Sequence, residues 1–154
     1  MAFKSGLGIQ VDRAADVLIV TATPGDPFFT IAGGMVLIRA LVGICTVTFG
    51  GVASNLSFEL NPDEAAGANT VLSLAVDIGT ATVVGDIVAF QGAPGGPLVG
   101  GHLAAQALAL TSGVGVVCAP GVIGLVCTVG AGPAMRWVLW YLPIDAGASV
   151  VAIP

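Results

Sequence analysis

A long apolar stretch broken by glycine and proline constrains the fold of this chain more than any other feature. Between Asp86 and Arg136 the sequence contains no Asp, Glu, Lys or Arg. Clusters of Gly and Pro interrupt the same stretch at residues 92–97, 100–101, 120–121 and 130–133. Val, Ile and Thr are frequent between these breaks, which is typical of short strands joined by turns. The apolar surface must therefore be hidden by protein, and neighbouring subunits are the natural cover.

Strand-like segments recur at intervals of roughly ten residues, which favours an antiparallel fold. Segments 55–60 and 70–78 alternate apolar and polar residues, as half-buried strands do. Segment 135–142 is apolar on both faces, so it needs cover on both sides. We predict an all-β fold, an antiparallel β-sandwich or barrel of about 8–10 short strands. At most one short helix is expected, at 103–110, where Ala, Leu and Gln are strong helix formers.

The domain organisation follows from the chain length and from the first residues. A chain of 154 residues suits one domain. We predict an extended N-terminal arm at residues 1–16 and a single β domain at 17–154. The arm carries Asp12, Arg13 and Asp16 before any apolar run develops, so no secretory signal peptide is expected.

The charge balance excludes some partners. The formal net charge is −5, and only Lys4, Arg13, Arg39 and Arg136 are basic. Proteins that bind nucleic acid need clustered Lys and Arg to neutralise phosphates, so the sequence argues against nucleic-acid binding. The same shortage argues against binding to anionic membrane surfaces.

The three cysteines, Cys45, Cys118 and Cys127, are odd in number and form no CxxC pair. Neither a disulfide framework nor a thiolate metal site is therefore indicated. A simple hairpin about Pro120 and Gly121 would also keep the sulfurs of Cys118 and Cys127 apart. We predict three buried, reduced thiols in a reducing compartment.

Motifs that carry catalysis are absent from the sequence. There is no Gly-x-Ser-x-Gly elbow, no phosphate-binding loop and no His-Glu-x-x-His helix. His102 is a lone histidine in a Gly-rich region, and Asp63 and Glu64 follow a proline at a turn. We predict no enzymatic activity, no cofactor and no metal site.

Aromatic residues cluster near the C-terminus at Trp137, Trp140 and Tyr141. Such a group can form a platform for a sugar ring. A place in the β core or at a subunit interface is favoured over that role.

A resemblance to a known family is carried by two regions that span most of the chain from Phe28. The first region is 28–43, followed by 60–62 and 76–78; the second is 118–123, followed by 135–152. They resemble small structural proteins from the head gene clusters of tailed bacteriophages, known as head decoration or cement proteins. The resemblance implies a β-rich protein of the outer capsid without enzymatic activity. Members of such groups are often trimers that clamp major capsid subunits.

These observations lead to a ranked set of functions. The first is a structural virion protein, made in the host cytoplasm, that binds the major capsid protein on the capsid exterior as a homo-oligomer, most simply a trimer. Its expected contact residues are Phe3, Lys4 and Arg13 in the arm, facing an acidic neighbour, together with Trp137, Trp140 and Tyr141. The alternative is a small integral membrane protein, for which windows 40–58 and 87–135 lack charge. A carbohydrate-binding β module is the weaker alternative.

Overall fold

The secondary structure consists of β-strands throughout the part of the chain that the structure describes. A computed structural model describes residues 9–18, 22–51, 53–63, 69–80, 82–90, 99–101, 115–127 and 134–154. Within these ranges there are twelve strands and no helix, which confirms the predicted all-β fold. The segment 103–110, predicted as a short helix, lies outside them.

The strands run in chain order with the following bounds: β1 (Ile9–Leu18), β2 (Ala22–Ala32), β3 (Val36–Val47), β4 (Asn55–Pro62), β5 (Thr70–Val71), β6 (Val76–Asp77), β7 (Ile87–Phe90), β8 (Val99–Gly101), β9 (Val116–Cys118), β10 (Gly121–Cys127), β11 (Ala134–Pro143) and β12 (Ser149–Ala152). Twelve exceeds the predicted number because β5, β6, β8 and β9 are only two or three residues long. Such short pairings leave little periodicity for a sequence pattern to detect.

The first sheet is built around β3 and β11. Its strand order is β1-β11-β3-β7-β8, and β9 also pairs with β3. The long strand β3 pairs with β11 along one edge, while its other edge is divided between β9 at the start and β7 further along. All of these pairings are antiparallel.

The second sheet is built around β2, β10 and β4. Its strand order is β12-β2-β10-β4-β5, with β6 pairing β4 beside β5. Alternation along β4 buries Leu56, Phe58 and Leu60 and leaves Asn55 and Asn61 exposed. The half-buried strand predicted at 55–60 is therefore confirmed.

One hydrophobic core lies between the two sheets and draws side chains from both. At its centre the indole of Trp137, from β11, meets two rings from the second sheet. The ring centroids of Trp137 and Phe58 are 5.2 Å apart at 89°, and those of Trp137 and Phe28 are 5.3 Å apart at 73°. Edge-to-face pairs of this kind each stabilise a core by about 0.5–1.5 kcal/mol beyond the area they bury.

Gly43 makes room for this indole. It lies directly opposite Trp137 in the pairing of β3 with β11. A Cβ atom at position 43 would lie 2.5 Å from Cζ3 of Trp137. Strand β3 is continuous through Gly43, because the glycine makes space for the ring and does not form a turn.

Two connections between the sheets lie side by side at one end of the sandwich. The first links β2 to β3 and the second links β11 to β12. The Met35 amide donates to Oδ2 of Asp145 at 2.7 Å, and the Ile144 amide donates to the Met35 carbonyl at 3.0 Å. Gly33 has a φ of 77°, and a Cβ there would meet the carbonyl of Gly147. The two connections therefore hold each other in place.

Two features of the sheet topology differ from the sequence prediction. Residues 9–16, assigned to the N-terminal arm, belong to β1, which pairs with the edge of β11. Ile9 and Val11 pack against the core, and charged residues just after them obscure that short pattern. The segments on either side of Pro120 do not form a hairpin, because β9 joins the first sheet and β10 the second.

Substitution of Gly43 by alanine tests the packing of the indole. We expect G43A to lower the free energy of unfolding by about 1–3 kcal/mol, since the added methyl group overpacks a ring held between two others. Chemical denaturation followed by tryptophan fluorescence measures this change. The matched control is G50A, because a Cβ at Gly50 meets no atom within 4 Å. It should change the stability by no more than about 0.5 kcal/mol, and equal effects of the two variants would contradict the packing argument.

Candidate functional site

The outward face of the first sheet is a broad apolar surface. It is formed by the sides of β3, β7, β9 and β11 that point away from the core. Exposed or half-buried apolar side chains on this face are Leu37, Ile44, Val47, Ile87, Val117, Val138, Trp140 and Leu142. We call these residues the outer apolar face.

Strand β11 shows how this face arises. Its inward side chains Met135, Trp137 and Leu139 are completely buried. Its outward side chains Val138 and Trp140 are also apolar and are half-buried. A strand that carries water-facing residues on one side would have polar groups there instead, so β11 resembles a strand covered on both sides.

The most exposed residues of the outer apolar face lie in β9 and at the end of β3. Val117 in β9 is 58% exposed, and Val47 at the end of β3 is 46% exposed. The turn that precedes β7 adds Val83 and Val84 at 49% and 60%. Isolated exposed valines are ordinary, whereas a group of them marks an interaction surface.

The outward face of the second sheet is different in character. Polar side chains, Ser57, Glu59 and Asn61, form its β4 row, and Thr30 lies on β2. The Asn69 amide donates to Oε1 of Glu59 at 3.1 Å. Apolar side chains at neighbouring register positions are the half-buried Val122 and Val126 and the exposed Val71 and Val151. This face therefore mixes polar and apolar groups.

The structure separates the three aromatic residues predicted as a cluster. Trp137 is fully buried and Tyr141 is 4% exposed, so both are core residues and neither contributes to a surface of this chain. Trp140 lies on the outer apolar face. No shared platform for a sugar ring is formed by Trp137 and Trp140, because they point to opposite sides of β11.

The predicted contact residues of the N-terminal segment are placed only in part. Phe3 and Lys4 lie outside the described residues. Arg13 belongs to β1, at the register position opposite Trp137. His102 is also outside the described ranges.

Sequence reasoning missed Ile44, Val117 and Arg136 as surface residues. Arg136 is exposed and lies opposite Ile44 across β11 and β3. The alternation of Arg136 with buried neighbours was a usable signal. Val117 belongs to a three-residue strand, too short to show which side faces outward.

Asp77 organises the turn after β6. Its carboxylate accepts hydrogen bonds from the Ser54 amide at 2.9 Å, the Gly79 amide at 2.8 Å and the Thr80 hydroxyl. The Thr80 hydroxyl, followed by the two amides, lowers the pKa of Asp77 below the ordinary value of 3.8. The chemical role of this carboxylate is to cap backbone amides.

The three cysteines are buried thiols, and no disulfide joins them. Burial raises the pKa of Cys118 to about 12. Burial, which outweighs the Val47 hydrogen bond, also raises the pKa of Cys45. Sγ of Cys127 lies 2.8 Å from Oγ of Ser54. Since the thiolate is the reactive form, Cys45 and Cys118 are poor nucleophiles and poor metal ligands.

Two absences within the described residues bear on the candidate functions. None of their His, Cys, Asp and Glu side chains form a group of three or more that could hold a metal ion. They also contain no helix long and apolar enough to cross a membrane.

Comparison with known proteins finds no match to a family model, to a curated protein or to a solved structure. The resemblance to phage decoration proteins therefore stays a prediction.

Replacement of Asp77 by asparagine should change how the free energy of unfolding depends on pH under acidic conditions. The folded-state pKa is lowered, so the ionised carboxylate stabilises the fold above the unfolded value of 3.8. This stabilisation is lost as the pH falls through the lower folded pKa. D77N should therefore be less stable than wild type at pH 7, and the difference should shrink below pH 3.8. Denaturation midpoints measured across pH check this. D63N removes another exposed carboxylate and is the matched control; equal effects of D77N and D63N would contradict the capping role of Asp77.

Thiol titration tests the burial of the cysteines. In denaturant without reductant we expect three reactive thiols per chain. In the native protein at pH 8, Cys118 should react with an aromatic disulfide reagent at least about a hundredfold more slowly, because its thiolate is scarce and enclosed. The control is V117C, whose thiol would stand at a position 58% exposed. Equal native rates for Cys118 and the introduced thiol would contradict the assignment.

Proposed function

We propose that this chain is a structural virion protein that decorates the exterior of a tailed-phage capsid. It binds the major capsid protein and acts as a homo-oligomer, most simply a trimer. It performs no catalysis and takes no cofactor. The observation that carries the proposal is the outer apolar face. This broad surface of the first sheet exposes apolar side chains to water, which is unfavourable unless a partner covers them.

The energetics favour a covered surface. Apolar area removed from water contributes about 25 cal/mol per Å². A standard interface buries about 800 Å² per partner, more than half of it apolar. The gross gain is then on the order of 10 kcal/mol per partner, before the cost of association is subtracted. Charged residues are only 8% of this chain, so its surface has few groups that favour contact with water instead.

The polar groups of the described residues also suit a structural role. Carboxylates of Asp77, Asp86 and Asp145 accept hydrogen bonds from backbone amides in turns. In the same way the buried hydroxyl of Ser73 accepts a hydrogen bond from the Phe58 amide at 2.9 Å. These side chains stiffen the connections, which supports a protein whose task is to hold a fixed shape.

The N-terminal segment is proposed as a second contact with the capsid or with a neighbouring copy. Phe3 would be its apolar anchor, and Lys4 its cation for an acidic surface. Arg13 would take part in the same contact from its position in β1, not from a separate arm. Trp140 is the one member of the predicted aromatic cluster that this proposal retains as a contact residue.

Association with capsids tests the proposal directly. We expect the chain to be found by mass spectrometry in purified virions of the phage that encodes it. We also expect the purified protein to co-sediment with capsids assembled from the major capsid protein of the same genome, and to sediment alone as a stable oligomer. A monodisperse monomer that never binds these capsids would contradict the proposal. The same assay can be repeated after deletion of residues 1–8, which leaves β1 in place. Unchanged capsid binding by this variant would contradict the proposed N-terminal contact.

A further inference from the structure

Two of the four basic residues of the chain lie on the outward side of the first sheet. Arg136 is exposed on β11, and Arg39 is half-buried on β3. Arg39 occupies the bulge where the register of the two strands shifts, between the pairs Trp140–Ala40 and Tyr141–Ile38. At about 3.3 Å per residue along a strand, the two arginines are roughly 15 Å apart. They bracket the outer apolar face between Trp140 and Val138.

Neither arginine has a hydrogen bond or ion pair with any residue that the structure describes. The chain has nine acidic residues against four basic ones, so carboxylates are in excess. Most of the described carboxylates lie away from this surface: Asp26 and Glu59 on the second sheet, and Asp63, Asp77, Asp86 and Asp145 in turns and connections. Asp12 and Asp16 belong to the edge strand β1, where Asp12 lies opposite Val138. The strands that form the outer apolar face, β3, β7, β9 and β11, contain no acidic residue, and Arg39 and Arg136 are their only charged residues.

The environment of Arg39 strengthens this observation. Its Nε atom is enclosed and has no hydrogen-bond partner. An enclosed N–H group without a partner has lost its hydrogen bond to water, and no described residue replaces it. A carboxylate that reached its outer edge would form charge-assisted hydrogen bonds and restore that loss.

A second copy of this chain fits the surface poorly. A symmetric contact would join two surfaces whose strands β3, β7, β9 and β11 have arginines as their only charged residues. A contact between this face and the outward face of the second sheet would pair opposite charges. Those two faces point in opposite directions, however, and repetition of such a contact gives an open stack rather than a closed oligomer.

We propose that the outer apolar face docks on an acidic, otherwise apolar surface of the capsid protein, with Arg39 and Arg136 as its two cationic anchors. This inference rests on the proposed function and names the surface that would perform it. The trimer contacts would then use other parts of the chain. Complementary charge fixes the register of such a contact, while the apolar residues between the arginines supply most of the buried area.

Capsid binding by R136Q tests the inference, with N61D as the matched control. Both substitutions change the net charge by −1 at an exposed position, R136Q on the outer apolar face and N61D on the second sheet. We measure affinity for capsids assembled from the major capsid protein of the same genome. R136Q should weaken binding by about tenfold or more and should reduce its salt dependence, whereas N61D should bind like wild type. R39Q should weaken binding in the same direction.

The other outcomes separate this inference from the proposed function. If wild type does not bind capsids, the proposed function fails. If wild type binds and R136Q and N61D bind equally well, the function stands and the docking surface is wrong. If R136Q instead dissociates the oligomer in sedimentation while capsid binding is unchanged, the face belongs to a second copy and the inference is overturned. Equal thermal unfolding midpoints of R136Q and wild type show that any loss of binding is not a loss of fold.

Discussion

The packing of the Trp137 indole against Gly43, which has no side chain, determines the centre of this fold. Trp137 occupies the space that a Cβ at Gly43 would take, and its ring meets Phe28 and Phe58 edge to face. The ring thus joins a strand pair of the first sheet to two strands of the second. Its enclosed Nε1 has no hydrogen-bond partner, which costs about 1–3 kcal/mol. Contacts on every side of the ring must offset that cost, so the position tolerates little change in shape.

This arrangement has a consequence for the opposite side of the same strands. Because β3 and β11 are committed to the core on one side, only their outward side chains can meet a partner. Those side chains are apolar as well, from Val138 to Leu142 on β11. A sandwich has two layers, so its own second sheet covers only the inward side. The outward side carries more apolar residues than the fold itself requires, and the proposed docking contact would account for that excess.

The sequence predicted the features that depend on periodicity and missed those that depend on contacts distant in sequence. Alternation at 55–60 and the apolar faces of 135–142 identified β4 and β11 correctly. The chain between Cys118 and Gly121 was expected to turn back on itself, since a Pro-Gly pair between two apolar segments is typical of hairpins. It crosses between the sheets instead, and no local pattern distinguishes these outcomes. The role of Gly43 was also not predictable, because its partner, Trp137, is far away in sequence.

The candidate surface was predictable only in part for the same reason. A row of alternating residues shows that a strand has two apolar sides, but not which side meets the second sheet. Trp137 and Trp140 therefore looked like one cluster, and the structure assigns one to the core and the other to the surface. Arg136, in turn, shares a face with Arg39 because of the way β3 pairs with β11, including the bulge at Arg39. Residues far apart in sequence are brought to one face by the topology of the sheet.

The division between inward and outward residues also separates stability from binding in this chain. Inward side chains such as Leu139 and Met135 are fully buried, so their truncation creates cavities and costs about 2–5 kcal/mol each. Exposed outward residues such as Arg136 and Val117 touch few neighbours, and their replacement has small effects on folding. Selection for a docking surface can therefore act on β9 and β11 without disturbing the core on the other side of the same strands. An exposed apolar residue at such a position adds little to the stability of the fold, and in the proposed function it would contribute to the contact with the capsid protein.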